Sequence, residues 1–443
     1  MVLLAPLAAH AETAASPRPA APAAKAANVA SDQEPGDSPP EFRTMPEPAP
    51  ARSSADCDEQ GLKALREAGQ RRAVCIEWGA PQEAVKREAA RPKSAAKSGP
   101  SAFWCANHKM GKTYVTRTSA CSRRPMTILL TDTITGKIWG KARGYVEQEI
   151  VTETNSVEFD EHFKFHLTDS DITSSVMTVK LESTCSLDAS CKDKLGALGT
   201  PQPITVGKSV EGHISRSWTG SKGEKDFLID YDIIVNIGGS FGSLSWGGHG
   251  EAGGGTYKVR CDNKVTKYAG CVVPSFTPTL VVPKKHKEAR LFIAVAQASM
   301  STHPGLEGGG KPLHREGSEK AAKENRDVIC DSTFKAASNT PKASCDEFPF
   351  ARSKESGRQV GVKSGKECQW YWVAEDTVNG KKNRLLMWDG LFQAKLPPAK
   401  AKCARASMPL GQNKGVGGEL GKKTSEWRLL DGDAYWVDAG AKK

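Results

Sequence analysis

The sequence predicts a multidomain protein. A disordered, Ala/Pro-rich N-terminal stretch leads into an all-β, sandwich-like middle and then a basic C-terminal third. Three observations predict this. Residues 12–100 are dominated by Ala and Pro ("SPRPAAPAAKAA", "MPEPAPARSSA"), which offer too little apolar surface to offset chain entropy. Residues 101–283 contain runs that alternate apolar and polar with period two, the signature of half-buried strands. From Lys284 onward, 29 Lys and Arg stand against 19 Asp and Glu, so +10 of the formal +11 charge lies there. Such a concentration points to a polyanionic partner.

Residues 1–11, "MVLLAPLAAHA", end in Ala9-His10-Ala11. That small-x-small pattern suits cleavage before Glu12 and reads as a signal-peptide remnant. No later apolar run reaches the roughly 18 residues of a membrane span, so a secreted, extracellular protein is expected. One island interrupts the 12–100 spacer: "DCDEQGLKALREAGQRRAVCIEW" has helical spacing between two cysteines, which predicts a small stapled helix.

In the middle region, "VEFDEHFKFHL" sends Val157, Phe159, Phe163, Phe165 and Leu167 one way and His162, Lys164 and His166 the other. "DFLIDYDIIVNI" repeats the pattern from Phe227 to Ile237, and "TDTITGKIWGKA" predicts two strands around a Thr-Gly turn. Together they predict a sandwich or partly open barrel, with a glycan or cell-surface ligand as its expected partner. His162 and His166 lie four apart on one strand, roughly 13 Å, too far to share a zinc ion. They are expected on the solvent face. "GLEGGGKP", residues 305–312, approaches a phosphate-binding loop but ends in Pro312, which has no hydroxyl for Mg²⁺.

Twelve cysteines fall as adjacent pairs, none as C-x-x-C. An even count in an exported chain predicts disulfides rather than zinc. The pair Cys330 and Cys345 closes a loop of about 15 residues, worth roughly 3 kcal/mol in the chain-entropy model, just before Asp346. Cys368 and Cys403 bracket the next segment. Ser318 is placed to cap a short helix to Val328.

"SCDEFPF", residues 344–350, sets Asp346 and Glu347 side by side ahead of Pro349, with Arg352, Lys354 and Arg358 close behind. Carboxylates that hold a divalent cation beside cations that hold phosphate are what metal-assisted phosphodiester cleavage requires. The bland alternative is an acid pair capping a turn.

"CDEFPFARSKESG", with "PLHR" upstream and "MPLGQNKGVGGELGKKTSEWRLLDGDAYWV" downstream, resembles the NucA/NucB deoxyribonuclease family, most closely its secreted actinobacterial branch. The resemblance covers roughly Lys311 to Val437. It implies a small α+β nuclease domain, assigned to residues 284–443, behind a β-rich accessory domain at 101–283. The implied activity is metal-dependent endonucleolytic hydrolysis of DNA with little sequence specificity, using Mg²⁺ or Mn²⁺. Asp346 would be the general base and Glu347 a metal ligand or support for the base. Asn413 would be a neutral oxygen ligand, and Glu355 would match a further acidic position near the metal. Arg352, Lys354 and Lys414 are candidates for phosphate contact by their chemistry. Gln412-Asn413-Lys414 stands where some members carry Asp-Asn-Arg, and Phe348 where they carry Trp. Glu419 and His314 are expected to face solvent. Two other readings fit the same residues: a secreted β-sandwich binding protein with an inactive nuclease-like domain, and the DNase effector of a contact-dependent toxin system.

Overall fold

Strand alternation governs the first part of the fold. A computed structural model describes residues 42–44, 57–79, 105, 108–173, 175–185, 190–220, 222–247, 258–378, 380–389 and 398–441. The expected signal remnant and most of the expected spacer lie outside them. Fifteen strands come first: β1 (Arg43–Thr44), β2 (Arg72–Trp78), β3 (Thr113–Val115), β4 (Ser119–Asp132), β5 (Ile138–Thr152), β6 (Glu158–Ser170), β7 (Met177–Thr184) and β8 (Cys191–Lys194). Then follow β9 (Gln202–Ile204), β10 (Ser209–Trp218), β11 (Glu224–Phe227), β12 (Asp230–Ile237), β13 (Ser240–Gly247), β14 (Val259–Asp262) and β15 (Gly270–Val272).

An eight-stranded sheet runs β1-β3-β4-β5-β6-β10-β8, with β2 also on β4. A four-stranded sheet, β13-β12-β7-β9, shares a core with it. A small sheet, β11-β14-β15, completes the β-rich part. Phe159, Phe163, Phe165 and Leu167 are buried, as is the whole apolar series from Phe227 to Ile237. The turn Thr133–Lys137 joins β4 to β5, with Gly136 at φ 69°, where L side chains are disfavoured.

The cysteine-bounded island is only half helix. Helix α1 (Glu59–Glu67) starts at Asp58, whose Oδ1 accepts from Gly61 N at 2.7 Å. The second half is β2, with Ala73 to Ile76 all buried. A Cβ on Gly242 would come within 2.0 Å of Val74 O, so β13 crosses β2 backbone against backbone. Residues 72–78 therefore belong to the β-rich part rather than to the spacer. Burial on both faces hides the alternation that would have marked them.

The β core also encloses an ion pair. Glu161 and Arg216 meet at 2.8 Å with both side chains fully buried. Tyr231 donates to Glu161 at 2.7 Å, and Arg216 donates to Ser183 at 2.8 Å.

The second part contains β16 (Thr279–Val281), β17 (Leu313–His314), β18 (Ala343–Phe348), β19 (Gln369–Val378), β20 (Lys381–Trp388), β21 (Ala404–Pro409) and β22 (Ala434–Asp438). Helices α2 (Lys287–Ser299), α3 (Glu319–Ile329) and α4 (Leu410–Glu426) accompany them. The sheets run β18-β21-β19-β20 and β16-β22-β17. Ser318 caps α3, its Oγ accepting from Ala321 N at 3.2 Å. Because β16 lies parallel to β22, and Leu280 and Val282 are buried in this second core, the C-terminal part begins a few residues before Lys284.

All twelve cysteines are paired with their sequence neighbours: Cys57–Cys75, Cys105–Cys121, Cys185–Cys191, Cys261–Cys271, Cys330–Cys345 and Cys368–Cys403. Gly305 to Gly310 form turns, and Leu313–His314 is a strand rather than the helix a phosphate-binding loop requires. Among the described residues no helix is long and apolar enough to cross a membrane.

The two cores are tied by arginines. Arg428, fully buried with φ 47°, sends its guanidinium to Asp262 Oδ1 and Oδ2 at 2.6 and 2.9 Å. It also donates to the carbonyls of Thr154, Asp262 and Tyr268 and to Thr266 Oγ1. In return, Arg117 and Arg260 from the β-rich part both reach Asp433 Oδ2, at 2.9 and 2.7 Å.

Candidate active site

Asp346 and Glu347 lie at the end of β18, antiparallel to β21 in the register Asp346–Ala406 and Glu347–Arg405. The Cys330–Cys345 bond ties the end of α3 to the residue before Asp346. On the other side, β21 runs into α4 without a loop, Pro409 serving as the helix N-cap. Helix α4 presents Asn413, whose Nδ2 donates to Cys345 O at 2.8 Å and to Ser344 Oγ at 3.3 Å. The amide nitrogen is thus committed to β18, and the amide oxygen is the atom left for another partner.

These elements enclose a cleft of about 460 Å³. Asp346, Glu347 and Asn413 line it, together with Arg315, Arg326 and Arg352. Both carboxylates are buried, each 8% exposed. Burial, reinforced by the neighbouring Glu347 charge and opposed by the Glu347 N–H on its Oδ1, pushes Asp346 up to about 8. No cation pairs with Asp346 among the described residues. Glu347 is raised by burial as well, against the pull of Arg326, whose Nε lies 3.3 Å from its Oε1. Arg326 pairs with Glu347 alone, and burial favours the protonated form of both carboxyls until a cation enters the cleft.

Tyr435 on β22 also lines the cleft. It is fully buried, its hydroxyl has no hydrogen-bond partner among the described residues, and burial holds it far above the usual phenol range. It is therefore a neutral donor without an acceptor. The glycines of α4 differ in purpose. A Cβ on Gly415 would collide with the His286 ring at 2.1 Å, whereas Gly417 and Gly421 line the cleft with open space before them. Bare backbone there allows a bulky ligand to approach.

The remaining predicted site residues are placed elsewhere. Glu355 accepts from His314 N at 2.8 Å and meets His314 Nδ1 at 2.7 Å. It lines a second cavity with Pro349 and Lys402 rather than the Asp346 cleft. Lys354 pairs with Asp431 at 3.0 Å. Lys414 is exposed on α4 and does not line the cleft. Arg352 does, and it also pairs with Glu319. Glu419 pairs with Lys285 at 2.8 Å instead of facing solvent alone. Arg315, Arg326 and Tyr435 had no assigned role from sequence, although Arg315 and Tyr435 sit inside the quoted motifs "PLHR" and "DAYWV".

Among the described residues, the one close group of three Cys, His, Asp or Glu ligands is Cys185, Cys191 and Asp193, and its cysteines are bonded to each other. The Asp346 cleft instead offers two carboxylates and one amide oxygen. That donor set suits a hard cation that keeps several waters, such as Mg²⁺ or Mn²⁺, rather than zinc. No protein-family model matches the chain, and no curated protein sequence matches it.

Proposed function

We propose that the protein is a secreted, metal-dependent endonuclease that hydrolyses DNA phosphodiester bonds, of the NucA/NucB type. One observation carries this reading: two adjacent buried carboxylic groups lie in a cleft lined by Arg315, Arg326 and Arg352. The six disulfides suit an oxidising, extracellular compartment.

Glu347 and Asn413 would hold the divalent cation, which polarises the phosphoryl oxygen and supplies charge stabilisation at the phosphate. The arginines position the phosphodiester and neutralise charge that develops on its oxygens. Asp346, in its ionised form, takes the proton of the attacking water. The water oxygen bonds to phosphorus as the bond to the leaving oxygen breaks. The Tyr435 hydroxyl, which finds no acceptor among the described residues, can donate to a phosphate oxygen that enters the cleft.

The test is nicking of supercoiled plasmid by the full-length chain in Mg²⁺ or Mn²⁺, with and without chelator. Chelator should abolish nicking, and Asp346→Asn should slow it by about 10² to 10⁴. Nicking at an undiminished rate in Asp346→Asn removes Asp346 as base. A folded wild-type chain that never nicks refutes the assignment.

A further inference from the structure

Val265 lines the same cleft as Asp346, yet it belongs to the β-rich part, on the loop 263–269 between β14 and β15. The Arg428 guanidinium fixes this loop from behind through Asp262, Thr266 Oγ1 and the Tyr268 carbonyl. Arg428 itself follows α4, whose Thr424 and Ser425 line the cleft too. The loop is therefore held rigidly against the catalytic part.

Its outward side chains have a distinct character. Tyr268 is 67% exposed, the most exposed of the described tyrosines, phenylalanines and tryptophans on the surface, and Lys264 and Lys267 beside it are exposed as well. Internal hydrogen bonds between Thr266 Oγ1 and the Tyr268 backbone set the residue's position. Packing therefore does not account for an aromatic ring there. Lys264 pairs with Glu224 at 3.4 Å; a solvated ring on an anchored backbone with a lysine next to it, here Lys267, is what proteins use to stack an unpaired base while holding the adjoining phosphate.

We propose that the 263–269 loop is a base-stacking platform that extends the cleft onto the β-rich part, and that the chain therefore favours single-stranded DNA. This rests on the nuclease reading. Strand phosphates lie along the cleft arginines, and a base unpaired beyond the cleft stacks on Tyr268. Duplex DNA keeps its bases paired and gains nothing from the ring.

The experiment measures fluorescence anisotropy of a labelled oligodeoxythymidine against the full-length chain carrying Asp346→Asn, which binds without cutting. Adding Tyr268→Ala should weaken binding about 5- to 100-fold, with Tyr268→Phe restoring it and the thermal midpoint unchanged. Duplex of the same length should be affected much less. In the chain with Asp346 intact, Tyr268→Ala should raise KM on single-stranded DNA and leave kcat nearly unchanged. Lys267→Ala should lower the salt dependence by about one phosphate contact. Nicking that persists with no effect of Tyr268→Ala on oligonucleotide affinity overturns the platform and leaves the nuclease standing. A folded chain that neither nicks nor binds overturns both.

Discussion

Asp346 illustrates how burial sets a proton's position at a single residue. Its carboxyl, pushed up to about 8 by desolvation and by Glu347, is largely protonated at neutral pH unless a cation is near. A base must be ionised, so kcat/KM should rise with pH through an apparent pKa near 8. Raising Mg²⁺ should move that midpoint to lower pH, because a nearby positive charge favours the carboxylate. A profile that is flat in pH, or insensitive to metal, excludes Asp346 as the titrating base. The same shift bears on stability. A folded-state pKa above the unfolded value contributes stability that is complete below about pH 4 and lost as pH rises through 8. Asp346→Asn removes that alkaline loss, and should raise the thermal midpoint at pH 8.5 while having little effect near pH 4. A lower midpoint at pH 8.5 would show that Asp346 is held by an interaction that outweighs its desolvation.

The elements around Asp346 divide the work between covalent and non-covalent restraint. Cys330–Cys345 fixes β18 from α3, and Asn413 fixes it from α4. Since Asn413 grips a backbone carbonyl with its nitrogen, Asn413→Asp should keep an oxygen toward the cation but lose the donor to Cys345 O. Asn413→Ala should lose both and raise the Mg²⁺ needed for half-maximal nicking, by roughly tenfold, in line with metal-site substitutions generally. An unchanged metal titration assigns Asn413 to holding β18 alone.

Much at this scale was legible in the sequence. Alternation in β6 and β12 needs only neighbours along one strand, and each disulfide joins cysteines adjacent in the chain. Glu161 was not legible as a core residue, because Arg216 and Tyr231, which satisfy it, come from strands far along the sequence. The cleft arginines failed for the converse reason. Lys354 and Lys414 are near the motifs in sequence but are turned to Asp431 and to solvent, whereas Arg326 arrives from α3 only when the chain folds, and Arg315, although inside "PLHR", is aimed at the cleft only by the fold. The helical half of the 57–78 island was visible, and its strand was not, because a strand buried on both faces carries no alternation.

At the scale of the whole molecule, charge and structure partition the chain differently. The excess positive charge belongs to the C-terminal third, but the cleft takes a wall from the β-rich part, and Arg428, Asp262, Arg117, Arg260 and Asp433 join the two. Removing one partner of a fully buried ion pair leaves the other charge without compensation, typically a cost of about 3–5 kcal/mol. Asp262→Ala should therefore lower the thermal midpoint and depress nicking together, although it touches no candidate catalytic group. Nicking that stays unchanged while the midpoint falls would show that the C-terminal part works without the clamp.

Every disulfide also closes within one side of Pro278. No covalent bond other than the main chain passes between the two cores. A protease site engineered beside Pro278 would turn the chain into a two-piece protein whose halves, each internally cross-linked, remain partners through non-covalent contacts, the buried arginines foremost. The pieces should co-elute at equal stoichiometry without reductant, and replacing Arg428 by Ala should weaken their association. Such a molecule could be dismantled into its β-rich and C-terminal halves and put back together by mixing.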